Sequence, residues 1–190
     1  MYSNIQDIIS ASIAVKTSLL NDKALLQQIE LTVNALQLAF KNGNRLWLCG
    51  NGGSAADAQH IAAEFSGRFY KDRKPLPAEA LHVNSSYLTA VANDYGYDMV
   101  YARMLEAAGK AGDVLIGIST SGNSINVIKA MEKARAMDMH TVSFSGSSEG
   151  MIDAHSDICI KVPSNDTPRI QEAHILIGHI ICELVESSMF

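Results

Sequence analysis

Cysteine is scarce in this 190-residue chain: only Cys49, Cys159 and Cys182, odd in number and far apart, each inside an apolar segment. That pattern excludes a disulfide framework and leads us to expect buried, reduced thiols in a cytoplasmic protein. There is no long basic run and the net charge is −5, so nothing draws the chain to nucleic acid or to an anionic membrane surface. No apolar stretch reaches the roughly 18 residues that argue for a membrane span. The opening residues lack the basic start and long apolar core of a secretion signal. With 47% hydrophobic and 18% charged residues, the composition excludes disordered and fibrous chains. At this length one domain buries roughly 70% of the surface of its unfolded form. Repeats, low-complexity tracts and internal boundaries are missing, so residues 1–190 read as a single domain.

What is present centres on residues 45–64. Leu46 to Cys49 reads as a buried strand, breaking into Gly50-Asn51-Gly52-Gly53, a tight loop. Ser54 is expected to cap the following Ala-rich helix. Strand, glycine loop and helix start in that order present backbone N–H groups and a positive dipole end to an anion. Further into the helix His60 and Glu64, four residues apart, share a face, either as an exposed pair or as part of a site.

Helical spacing predicts helices over 3–20 and 23–41, broken at Asn21-Asp22, with Asn42-Gly43 closing the second. A loop follows over 68–77, then a strand over 78–83 and a short helix over 87–92 that ends near Asn93-Asp94-Tyr95-Gly96. A helix over 97–109, a strand over 114–118, a helix over 125–137, strands over 140–145 and 157–162, and a helix over 167–187 complete the chain. Strands alternating with helices imply an α/β fold, a three-layer αβα sandwich on a parallel sheet. The first two helices (residues 1–43) precede the sheet-and-helix body (44–190). As a hairpin they would bury their apolar stripes on the sheet or on another subunit. Ligands of such folds sit at the carboxyl ends of strands, where both polar loops fall.

The loop 50–55 fits a G-x-G-x-x-A dinucleotide form, but the strand that should end in an acidic residue ends in Leu81-His82-Val83-Asn84, against a nicotinamide cofactor. The run Ser119-Thr120-Ser121-Gly122-Asn123-Ser124 packs four hydroxyls at a helix start and contains no cation. It is either a solvated turn or a cradle for a phosphate monoester held by neutral donors. The apolar last helix carries Gln171, Glu172, His174 and His179, and polar groups in such a setting need partners. They are either satisfied core residues, as a histidine bonded to a carbonyl would be, or, with His60 and Glu64, donors to a metal accepting nitrogen and oxygen.

Residues 49–60, Ala92-Asn93-Asp94-Tyr95-Gly96, Gly112 to Ser124 and Arg169 to His179 together resemble the phosphoheptose isomerases of the sugar isomerase (SIS) superfamily, over nearly the whole chain. The resemblance implies a flavodoxin-like sheet of five parallel strands, a homotetramer with active sites at subunit interfaces, and conversion of sedoheptulose 7-phosphate to D-glycero-D-manno-heptose 7-phosphate. It implies substrate contacts at Asn51, Gly52, Gly53, Ser54, Glu64, Arg68, Asn93, Asp94, Ser119, Thr120, Ser121, Ser124 and Gln171. Glu64 and His179 take the acid/base positions, and one zinc ion per subunit would be held at His60, Glu64, Gln171 and His179. Two segments depart from the family pattern: Leu81 to Ser86 stands where Thr-Thr-Asp-Thr-Ser is usual, and the loop from Ser145 to Gly150 lacks the usual lysine-bearing form.

Eight residues separate Gln171 from His179, about 12 Å along one helix axis and roughly 80° around it. One helix can hardly bring both to one ion, so we expect last-helix residues from different copies to complete the site. A related SIS protein is a non-catalytic partner of the replication initiator DnaA, and hexosamine-phosphate isomerases share the fold. The presence of both Glu64 and His179 favours an isomerase over the first of these.

Overall fold

A computed structural model describes residues 2–190. Helices α1 (Tyr2–Asn21) and α2 (Lys23–Lys41) precede β1 (Leu46–Gly50), α3 (Gly53–Ser66), β2 (Ala78–Ala80), α4 (Ser85–Tyr95) and α5 (Val100–Ala108). Then come β3 (Val114–Ile118), α6 (Ile125–Ala136), β4 (His140–Ser145), β5 (Ile158–Lys161) and α7 (Thr167–Met189). The five strands are parallel in the order β2-β1-β3-β4-β5. In this order the chain reverses direction across the sheet between β1 and β3, and the crevice outside their carboxyl ends is the ligand position of such folds.

Alternation along the strands divides the core. Leu46 and Leu48 face α2, α3 and α7, together with Val114, Ile116 and Phe144. Trp47, Cys49 and Leu115 face α4, α5 and α6. Asp22 caps α2 by accepting the Leu25 N–H at 3.0 Å, the break expected at Asn21-Asp22. Leu25, Ile29, Val33 and Leu36 bury one face of that helix. At about 1.5–3 kcal/mol for each large apolar side chain fully buried, this docking outweighs anything helix propensity supplies.

Helix α1 behaves differently. It is tied to α7 by polar contacts: Ser12 donates to Glu172 at 2.6 Å and Arg169 donates to the Ile8 carbonyl at 3.2 Å. Its apolar stripe points away from the body, with Ile5, Ile8, Ile9 and Ile13 each more than half exposed.

Several boundaries differ from expectation. The second strand stops at Ala80, because Asn84 caps α4 through the Tyr87 N–H at 3.0 Å and draws the chain into a helix that starts at Ser85. Asn93 and Asp94 consequently lie inside the last turn of α4, not after it. Residues Tyr97–Met99 form a short 3₁₀ turn before α5. Ser54 is not the cap of α3. That helix begins at Gly53 behind Gly52, whose φ of +55° only glycine adopts without strain, and Ser54 is buried in its first turn. None of the described helices is long and apolar enough to cross a membrane. Among the described residues all three cysteines are free thiols, and burial pushes those of Cys49 and Cys182 up.

Candidate active site

Most of the expected site residues fall into two groups at opposite ends of α3. The first lies at the sheet's reversal point. Asn51 and Asn126 exchange amide hydrogen bonds across it, each donating to the other at 2.8 Å. Tyr101, fully buried, donates to the Gly50 carbonyl at 2.5 Å. Burial lifts the Tyr101 hydroxyl above its ordinary range, so it stays a neutral donor. The two loops are thus stitched together by side chains, and the amide of Asn51 is committed to Asn126.

Beyond β3, Ser119 and Ser124 hydroxyls meet at 3.0 Å. The loop between them turns on Gly122 at φ +67°, packed so closely on Gly150 that a Cβ there would stand 2.8 Å from the Gly150 Cα. A cavity of about 290 Å³ opens beside this loop, walled by the polar Thr120, Ser121, Asn123, Ser148, Asn165 and Thr167 and by Ile170. It has no cationic wall, and the N-terminus of the 23-residue helix α7 opens at Thr167. Hydroxyls, amides and a helix start together suit an anion. Gln171 stands against Gly53, where a Cβ would collide with its Nε2.

The second group lies toward the far end of α3. Nε2 of His60 is 3.0 Å from Oε1 of Glu64 and 3.5 Å from Nε2 of His179. One donor atom from each of the three lies within 4.8 Å of the others. Helices α3 and α7 come close enough because residue 178 is glycine: a Cβ there would sit 2.5 Å from Ile61 Cδ1. The Phe69 ring packs on His179 with centroids 5.7 Å apart. The side chains of His60 and Glu64 are 48% and 24% exposed, so reactants can reach them. Arg68 is exposed on the loop that follows.

These donors fit a metal. A single imidazole nitrogen offers one proton or one lone pair, so His60 Nε2 cannot fully satisfy both Glu64 and His179. A shared cation would satisfy all three. Tetrahedral zinc with bonds of about 2.0–2.1 Å would space its ligands about 3.4 Å apart, near the 3.0 and 3.5 Å separations from His60, and catalytic zinc sites carry three protein ligands and an open position. The fourth expected ligand, Gln171, is not brought to this cluster within one chain. It stands about 12 Å up the helix axis.

Eleven residues, or about 16 Å of helix rise, separate Gly53 from Glu64. The hydroxyl-lined cavity and the His60–Glu64–His179 cluster of one chain are therefore at different places on it. Asn93 and Asp94 are exposed on α4 and bonded to each other at 2.9 Å, with no hydrogen bond to either group. His174 is a core residue, fully buried, with Nε2 3.2 Å from the Ser145 carbonyl and Nδ1 buried without a partner among the described residues.

Residues that the motif reading passed over hold the second group in place. Glu186 on α7 accepts the backbone N–H groups of Phe69, Tyr70 and Lys71 at 3.1, 2.8 and 2.9 Å, and the Arg73 Nε at 2.8 Å. Burial alone would raise its carboxyl, but those donors outweigh it and hold the group below its ordinary range. The available signal was a glutamate one residue after Val185 in the buried stripe of the last helix. For Asn126 it was an amide among Ile125, Val127 and Ile128.

Known proteins agree with this geometry. Residues 10–146 match the SIS domain family. A phosphoheptose isomerase of Aneurinibacillus thermoaerophilus is 52% identical over all of this chain and 96% of its own length. The solved phosphoheptose isomerase of Neisseria gonorrhoeae superimposes with a TM-score of 0.91 at 41% identity, covering 98% of both chains. That of Francisella tularensis gives 0.93 at 34% identity, again over 98% of both. Sheet order, paired loops and full-length similarity agree, and the chain belongs to the phosphoheptose isomerase family of SIS-domain proteins.

Proposed function

We propose that the chain interconverts sedoheptulose 7-phosphate and D-glycero-D-manno-heptose 7-phosphate, the entry to nucleotide-activated heptose for lipopolysaccharide, capsule or other surface glycan. The observation that carries this is the convergence of Glu64 and His179 from two helices, in a chain that also holds a neutral, hydroxyl-lined anion cradle. Ketose–aldose conversion moves a proton between C1 and C2 through an enediol, so it needs a carbon base and a proton carrier for the oxygens. Glu64 takes the carbon proton and returns it to the neighbouring carbon. His179 carries the oxygen proton and serves ring opening. Ser119, Thr120, Ser121 and Ser124 fix the remote phosphate, and the backbone of Asn51, Gly52, Gly53 and Ser54 lines the sugar; holding the far end turns binding energy into placement of the reacting carbons. Arg68, Asn93, Asp94 and Gln171 complete the sugar contacts.

His60, Glu64 and His179 would hold zinc, one per subunit, with Gln171 as the fourth ligand. A bound zinc ion would supply charge to steady the two oxygens of the enediolate. Loading with chelator is expected to abolish isomerisation of sedoheptulose 7-phosphate, measured by heptose 7-phosphate appearance, with recovery on adding zinc. Full activity after exhaustive chelation would remove the metal from the reading. Turnover of fructose 6-phosphate instead would reassign the substrate.

The site is completed between copies. The separation of the cradle from Glu64 within one chain supports this, as does the eight-residue gap from Gln171 to His179. The exposed isoleucines of α1 and the apolar groove of Leu26, Val33, Ile180 and Leu184 between α2 and α7 offer the surface. Light scattering is expected to give four times the chain mass of 20.5 kDa; an active monomer would refute the shared site. The three free thiols suit the reducing cytoplasm.

A further inference from the structure

The loop from Gly67 to Lys74, between the acid/base end of α3 and β2, is pinned by one buried ion pair. Arg73 and Glu186 meet at 2.8 Å with both side chains 2% exposed. Arg73 reaches back to α3, donating from Nη1 to the Phe65 carbonyl at 2.8 Å and from Nη2 to the Glu64 carbonyl at 2.9 Å. These are among the last carbonyls of that helix, which have no partner within it. Glu186 meanwhile gathers the N–H groups of three consecutive loop residues, beginning at Phe69. It lies seven residues, two turns, beyond His179, on the same side of α7. One pair therefore ties the backbone of Glu64, the ring that packs on His179, and the helix that carries His179.

We infer that Arg73 and Glu186 are positioning residues for the His60–Glu64–His179 cluster, setting the spacing of its donor atoms without touching substrate. Capping the end of α3 is a structural task, but the same pair also joins Glu64's own carbonyl to the Phe69 amide, and so links the two elements that carry the cluster. Buried ion pairs are in general weak contributors to stability compared with apolar replacements, whereas partners of ligands commonly change metal affinity by 10–100-fold. This inference rests on the metal and acid/base reading above.

The test uses Arg73→Lys, which keeps the charge but loses the fork, and Glu186→Gln, which keeps the shape but loses the charge. Cobalt(II) affinity and its visible spectrum are read by titration of each full-length variant. Expected are a roughly 10-fold or greater loss of cobalt affinity with an altered spectrum, and a roughly 100-fold fall in kcat with KM little changed. Variants that melt lower yet bind cobalt and turn over as the parent does would make the pair merely structural and overturn the inference. Glu64→Gln is assayed alongside: if it stays active the catalytic reading falls, while the cobalt titration still decides the positioning role.

Should both variants fail to fold, the parent protein decides. Coupling between sites is reciprocal, so cobalt is expected to slow amide exchange at Phe69, Tyr70 and Lys71 more than in β3. Equal slowing in both places would overturn the inference.

Discussion

Glu64→Gln is expected to lower kcat by roughly 10³-fold, within the range of about 10²–10⁴ that a positioned proton-transfer group contributes, while sedoheptulose 7-phosphate still binds. The substitution keeps size and shape, and the amide oxygen can still accept from His60, which faces the carboxylate at 3.0 Å. What it removes is a lone pair basic enough to take a carbon-bound proton, together with the negative charge of one proposed metal donor. The proposed function puts most of the binding elsewhere, on the hydroxyls around Ser119 and Ser124 and the loop of Asn51 to Gly53, so Kd by calorimetry is expected within a few-fold of the parent. Two controls separate loss of the base from loss of a ligand. Saturating zinc should not restore turnover, since metal does not make an amide a base. Incubation in D₂O should label the sugar at C1 or C2 in the parent but not in the variant. Near-normal activity, or solvent label entering through the variant, would take Glu64 out of the role.

His60, Glu64 and His179 illustrate what spacing can and cannot reveal. The four-residue interval of His60 and Glu64 put both on one face of α3, and that face is where they are. Nothing in the spacing of either helix could say that α7 would lie against that face, because the contact depends on Gly178 letting Ile61 approach, a property of two helices at once. The same limit applies to Arg73 and Glu186, more than a hundred residues apart in sequence and in contact only after the loop closes over α7. Strands were legible where apolar runs were bounded by turn residues: β3 and β4 fall where periodicity put them. The second strand was read too long because Leu81 remains buried and bonded to the Leu48 carbonyl after the strand has ended, so its apolar signal outlasts its pairing. Ser54 was read as a cap on composition, but a glycine at positive φ starts the turn earlier and leaves the serine inside. The neutral cradle was visible as four hydroxyls in six residues. Its distance from Glu64 was not, since that needs the length and direction of α3.

His174→Phe is expected to make the protein markedly less sensitive to acid. In the fold the ring is fully buried against Phe144, with centroids 5.6 Å apart. Burial depresses its pKa from an ordinary 6.5 to about 4, only partly opposed by the bond to the Ser145 carbonyl. A histidine depressed in the folded state stabilises the fold fully above the unfolded value. That stability is lost as the pH falls from about 6.5 toward 4, because there the unfolded chain binds a proton that the folded chain refuses. Each unit between the two values is worth about 1.4 kcal/mol, so the whole loss is about 3 kcal/mol, and about 2 kcal/mol of it falls between pH 7.5 and 5. That is a sizeable share of a typical stability of about 5–15 kcal/mol. Phenylalanine fits the same aromatic contact and does not titrate. The Ser145 carbonyl keeps its bond from the Val162 N–H at 2.9 Å, so the cost at pH 7.5 should stay near the about 0.5–1.5 kcal/mol of one hydrogen bond. Urea unfolding at both pH values, at a fixed protomer concentration since assembly shifts apparent stability, reads the difference directly. The variant should lose about 2 kcal/mol less than the parent on going to pH 5. An equal loss in both would mean that the buried imidazole takes up its proton without disturbing the fold, and that the acid sensitivity lies with other groups.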